Sequence, residues 1–199
     1  MKKKLSFHSP IHTILLMVCF LLAACHASKD PRLYILNPNP LIVSSPKNQQ
    51  AILIGIDNIS LPEYLENPQL MIFSTDHQST LLEHDQWAEP LSNNIQRLIQ
   101  TNLITQLPNA AVESAPWGGD FYPQYHLRLE ISQFKVTWQG SSTLRAIYTI
   151  ETANKVIHQH QIQLHEQLSV VTPTTAVISM NHLINRLSDK IAAAFKRMI

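Results

Sequence analysis

Three consecutive stretches between Tyr125 and Leu168 alternate apolar and polar residues at a period of two, and no other feature restricts the fold so tightly. In "YHLRLEISQFKVTW" (125–138), Leu127, Leu129 and Ile131 share one face. After Gln133 the apolar set moves to Phe134, Val136 and Trp138, a phase slip that predicts a β-bulge within the strand. "STLRAIYTIET" (142–152) puts Leu144, Ala146, Tyr148 and Ile150 on one side and Thr143, Arg145, Thr149 and Glu151 on the other. "VIHQHQIQLHEQL" (156–168) turns Ile162, Leu164 and Leu168 inward and Gln159, Gln161, Gln163, His165 and Gln167 outward. Clean alternation in three neighbouring strands predicts an antiparallel sheet with one face packed and one face wet.

Two helical stretches supply the cover. Pro90 occupies a first-turn position, Leu91, Ile95, Leu98, Ile99 and Leu103 recur at helical spacing, and Pro108 stops the run. Near the C-terminus Thr174 or Thr175 is the expected cap of a helix whose Val177, Met180, Ile184, Leu187, Ile191, Ala194 and Met198 step by three and four. With only about three heptads, this stripe is expected to lie on the sheet rather than form a coiled-coil seam. Lys196 and Arg197 end it, where cations complement the helix dipole.

Upstream, Leu33–Leu36 reads as a first strand, and "NPNPLIVSSPKNQQ" (37–50) as loop. "AILIGIDNISLP" (51–62) is nearly continuous apolar sequence, as in a strand buried on both faces. "QLMIFS" (69–74) and "TLLEH" (80–84) read as two strands joined by a turn through Asp76 and His77, and "PWGGD" (116–120) marks another turn. Strands, helix, strands, helix is the order of an α+β domain: an antiparallel sheet with two main helices packed on one face.

The N-terminus poses a different question. Lys2, Lys3 and Lys4 precede a short apolar run from Ile11 to Leu22, too short for the roughly 20 residues that span a bilayer. Basic start, apolar middle and small residues before a cut are the parts of a secretory signal. The run ends Leu22-Ala23-Ala24-Cys25, which resembles the lipobox of bacterial lipoproteins. That resemblance makes Cys25 the first mature residue, carrying a diacylglycerol on sulfur and an acyl chain on its amine. One chain holds a protein marginally, whereas two or more hold it firmly. The residue after the cysteine is His26 rather than the aspartate that cues inner-membrane retention, so the outer membrane, periplasmic face, is the expected location. The alternative is a plain signal or uncleaved anchor with a chance cysteine.

The expected organisation is therefore a signal peptide over 1–24, a lipidated tether over 25–32 and one domain over 33–199. Removing 24 of 199 residues takes three lysines and no acids, moving the formal net charge from +1 to −2. No dense basic cluster remains, which argues against a nucleic-acid partner. Cys19 lies in the removed segment and Cys25 is acylated, leaving no disulfide.

No catalytic constellation assembles. The chain has four glycines and lacks the nucleophile elbow, the phosphate-binding loop and the dinucleotide fingerprint. His158 and His160 share a strand face, with Glu166 further along it, but a third metal ligand is not evident, and half-buried or edge histidines explain them. Asp57 follows a buried strand and reads as a turn residue before it reads as a site. No enzyme, cofactor or metal is expected.

Two stretches are distinctive. "LPEYLENPQLMI" (61–72) and "QWAEPL" (86–91) resemble the signature of the ABC-type transport auxiliary lipoprotein family, in Leu61, Pro62, Tyr64, Leu65, Pro68, Gln69, Trp87, Ala88, Glu89, Pro90 and Leu91. The order of elements fits from the lipobox through "LYIL" (33–36) to the terminal helix. Asn67 replaces the family's usual arginine, and Phe73 and Lys135 stand where charged residues of other kinds are common. The resemblance implies a partner: an MCE-domain protein of an intermembrane lipid transport system, including the paraquat-inducible kind, whose conduit this subunit docks to the outer membrane. It makes Tyr64, Pro68, Gln69, Trp87 and Glu89 the candidate partner-binding residues, with structural packing the competing role for Tyr64 and Trp87. A homo-oligomeric ring is compatible with the sequence and not indicated by it. The rival reading is an outer-membrane biogenesis or envelope-scaffold lipoprotein that binds lipopolysaccharide machinery or cell-wall components.

Overall fold

Ile54 and Ile56 of the continuous apolar run are wholly buried, in a strand that has a hydrogen-bonded neighbour on each side. The computed structural model describes residues 30–38, 51–153 and 155–198. Cys25, the expected signal and most of the 37–50 loop lie outside the described residues. Strands are β1 (Arg32–Tyr34), β2 (Ile52–Ile56), β3 (Gln69–Phe73), β4 (Ser79–Trp87), β5 (Ala110–Ser114), β6 (Tyr125–Val136), β7 (Ser141–Thr152) and β8 (Lys155–Gln167). Helices are α1 (Leu91–Gln106) and α2 (Pro173–Lys196), with a 3-10 turn at Glu63–Leu65.

The α+β class holds, but the sheets are mixed rather than wholly antiparallel. In the five-stranded sheet, ordered β5-β2-β6-β7-β8, β2 runs parallel to both neighbours, with Ile54 opposite Val112 on one side and Tyr125 on the other. The connection from β2 to β5 carries α1, a crossover, and crossovers join parallel strands where hairpins join antiparallel ones. The long apolar run was the sign of this, because parallel strands covered on both faces lose their alternation. One cover is the loop after β5: a Cβ on Gly55 would lie 2.7 Å from Trp117 Cζ2 and 2.9 Å from Pro123. A three-stranded sheet, β1-β4-β3, pairs β1 parallel and β3 antiparallel to β4.

From β6 to β8 the pairing is antiparallel as the alternation predicts. The register shifts between Ile131 and Gln133, placing the predicted bulge at Ser132. Phe134 and Val136 turn inward beyond it, but Trp138 lies past the strand end and is 42% exposed. Gly140 takes φ +86° in the β6–β7 turn, where a Cβ would meet the Leu168 carbonyl.

α2 crosses β6, β7 and β8 and packs against α1, so its apolar stripe serves the core, not a coiled coil. Its cap is Thr172, two or three residues earlier than expected: Thr172 Oγ1 accepts from the Thr175 amide at 3.1 Å, while Thr175 Oγ1 accepts from the Thr172 amide at 2.9 Å. Pro173 stands at the first helical position, which displaces the cap upstream of Thr174. Between the helices Asn102 Nδ2 donates to Asn185 Oδ1 at 2.8 Å and to Ser188 Oγ at 3.2 Å, a buried polar contact within an apolar seam.

Candidate functional site

The family-like residues converge at one end of the three-stranded sheet. The 3-10 turn brings Glu66–Pro68 against the end of β4, where the Trp87 amide donates to the Pro68 carbonyl at 2.7 Å. Asn67 Oδ1 accepts from the Gln69 amide at 2.8 Å, so the residue that replaces the family's arginine closes a local turn. Glu66, Asn67, Pro68, Trp87, Glu89, Pro90 and Leu91 surround a depression of about 330 Å³. Glu66 and Pro68 are exposed on its rim, whereas Trp87, 8% exposed, is its floor. Glu89 pairs with Arg97 on α1, and Glu66 is the other acid facing the depression. Pro68 and Pro90 thus wall a groove whose rim carries Glu66 and the Arg97-paired Glu89.

Tyr64 and Gln69 lie beside this groove rather than in it. Tyr64 Oη accepts from the Phe134 amide at 3.1 Å, occupying a main-chain donor that β6 frees just after its bulge. Its ring meets Phe73 edge-on at 5.8 Å. The two other departures from the family pattern touch each other: Lys135 Nζ sits 5.7 Å from the Phe73 ring centre and 2.6 Å from Asp76 Oδ1. The hydrogen bond and charge of Lys135 hold the Asp76 carboxyl below the usual carboxylate range. Asp76, read from the sequence only as a turn residue, thus ties the β3–β4 turn to β6.

A second arrangement secures the chain leaving the expected anchor. Asp85, 4% exposed, accepts from Arg32 Nη2 at 2.7 Å and from Tyr34 Oη at 2.9 Å. The hydrogen bond and charge of Asp85 raise the Arg32 pKa further. Asn94 on α1 then acts as a substitute strand: Oδ1 accepts from the Leu36 amide at 2.7 Å, and Nδ2 donates to the Leu36 carbonyl at 3.1 Å. Asn181 on α2 accepts from the Asn37 amide at 2.7 Å. These polar residues carry no periodic signal, and reading the sequence for patterns missed all three.

The remaining candidates are dispersed. His158 and His160 stack with ring centres 6.2 Å apart, and Tyr148 Oη lies 3.3 Å from His158 Nε2. Burial raises the Tyr148 pKa. Glu166 turns away to His182 on α2, 3.1 Å from its Nδ1. Among the described residues no three His, Cys, Asp or Glu side chains gather around a common point. Asp57 meets His126 Nδ1 at 3.5 Å and Arg128 Nε at 3.9 Å, at the surface beyond β2.

The intermembrane transport lipoprotein PqiC of Escherichia coli K12 is 26% identical over 88 residues, which make up 44% of this chain and 46% of that protein. The PqiC of Shigella flexneri matches equally. The chain therefore spans about half the length of the curated relatives it matches. The crystal structure of an uncharacterized protein superposes with a TM-score of 0.71 at 19% identity, covering 84% of this chain and 99% of the other. A protein from Xanthomonas campestris superposes at 0.66 and 10% identity, covering 81% and 92%. These two show a shared fold. The model of one family, the ABC-type transport auxiliary lipoprotein component, matches residues 34–192, from β1 to the last turns of α2. The chain belongs to the ABC-type transport auxiliary lipoprotein component family.

Proposed function

We propose that this protein is a non-enzymatic subunit of an MCE-type intermembrane lipid transport system, held at the periplasmic face of the outer membrane by lipids on Cys25. Its domain docks the tip of the conduit. The observation that carries this reading is the convergence of Pro68, Trp87 and Glu89 on one acid-rimmed groove, although they come from segments separated in sequence. The lipid anchor concentrates that groove in a thin layer beside the conduit, so a modest contact suffices for occupancy. Tyr64 and Gln69 lie beside the groove, and the former holds the bulged strand in place.

Crosslinking in intact cells tests it, followed by purification of the tagged lipoprotein and identification of its partners by mass spectrometry. An MCE-domain protein should be recovered with the wild type and lost with Glu66→Arg or Pro68→Arg, two exposed positions whose variants should keep the native circular dichroism. Recovery of lipopolysaccharide-export or cell-wall proteins alone would overturn the proposal in favour of an envelope scaffold.

A further inference from the structure

Leu33 and Ile35 stand on the outer face of β1 and its continuation, 63% and 40% exposed, opposite in direction to Tyr34 and the wholly buried Leu36. β1 is an edge strand of its sheet, and the residue paired with Leu33 on the same face is the uncharged Gln86. Apolar side chains on an exposed edge attract unwanted pairing, which sequences ordinarily blunt with charge. Here the charge next to Leu33 in the chain, Arg32, is bound to Asp85.

The strand has no freedom to turn these residues elsewhere. Asp85 holds Arg32 and Tyr34, Asn94 holds both main-chain groups of Leu36, and Asn181 holds Asn37. Leu33 follows Cys25 by eight positions, and eight residues reach no further than about 29 Å when fully extended. We propose that the Leu33–Ile35 face of β1 is seated in the interfacial layer of the leaflet that holds the Cys25 lipids. This rests on the lipid anchor. Acylation has already removed most of the translational freedom that membrane binding would cost, so a small apolar contact is enough to seat the strand. Seating fixes which face of the domain looks away from the membrane, a constraint that a lipid on a loose tether would not impose.

The test uses the full chain, processed and lipidated in cells, then reconstituted into phosphatidylethanolamine and phosphatidylglycerol vesicles. Leu33→Cys and, as a control on α2, Ile178→Cys carry a polarity-sensitive fluorophore; Ile178 is 48% exposed. The label at position 33 should shift to the blue and lose emission when the lipids are brominated, while the label at 178 does neither. Vesicle-bound protein whose position 33 stays as water-exposed as position 178 would overturn the seating and leave the anchor standing. A blue shift at 33 without quenching by brominated lipid would also overturn it, because protein would then cover the strand. Protein that fails to sediment with vesicles would overturn the anchor and the seating together.

Discussion

Replacing Asn94 tests how firmly the first strand is fastened. Asn94 and Leu36 are 1% and 0% exposed, and their two hydrogen bonds occupy both main-chain groups of Leu36. Asn94→Ala leaves an N–H and a C=O buried without partners, at about 1–3 kcal/mol each. A full loss of about 2–6 kcal/mol has a ceiling, because β1 can lift away and let water reach both groups. Lifting exposes Leu36, whose burial is worth about 1.5–3 kcal/mol. The cheaper route prevails, so the expected destabilisation is about 2–3 kcal/mol in urea unfolding, with amide exchange accelerated at 34–37 and little changed in β6–β8. Asn94→Asp keeps the acceptor for the Leu36 amide but turns a carboxylate toward the Leu36 carbonyl, and should destabilise at least as much at neutral pH. A loss below about 0.5 kcal/mol with the Leu36 amide still protected would refute the reasoning.

Gly55→Ala places a Cβ 2.7 Å from Trp117 and 2.9 Å from Pro123, and should cost about 1–3 kcal/mol in thermal melting, partly recovered by adding Trp117→Ala. Tyr64→Phe deprives the Phe134 amide of its partner; a loss of about 1 kcal/mol and faster exchange at that amide are expected, and unchanged exchange would contradict the role given to Tyr64. The Asp76 carboxyl has a depressed pKa in the folded protein, so the stability from its pair with Lys135 is present above the ordinary carboxylate range and is lost as pH falls through the depressed value. Unfolding midpoints measured across acid pH should therefore fall less steeply for Asp76→Asn than for the wild type.

How much was legible in the sequence depended on whether a residue's neighbours lay within a repeating pattern. β6 to β8 pair in chain order, so alternation alone gave their faces, and the slip past Ile131 gave the bulge. α2 buries a stripe long enough to show its period. The parallel pairing of β2 was written in the same apolar run, but a run buried on both faces does not name its partners, and those partners come from more than fifty positions away. Trp87 and Tyr64 stood out as aromatics in a family-like signature. Only the fold shows that one floors a groove and the other serves the main chain of β6. Asp85, Asn94 and Asn181 were invisible because each acts through a single long-range hydrogen-bonding geometry, which leaves no trace in composition or periodicity.

The fastening of β1 also sets an order in time. Asp85 lies 53 positions beyond Arg32, Asn94 lies 58 beyond Leu36, and Asn181 lies 144 beyond Asn37. Such distant partners make closure slow relative to the local pairing of β6, β7 and β8. A chain threaded across a membrane with its N-terminus leading would deliver the first strand early and the helix that completes its fastening last. The stretch beside the anchor would then be the last part of the domain to become protease-resistant, waiting in the envelope until the final helix has emerged.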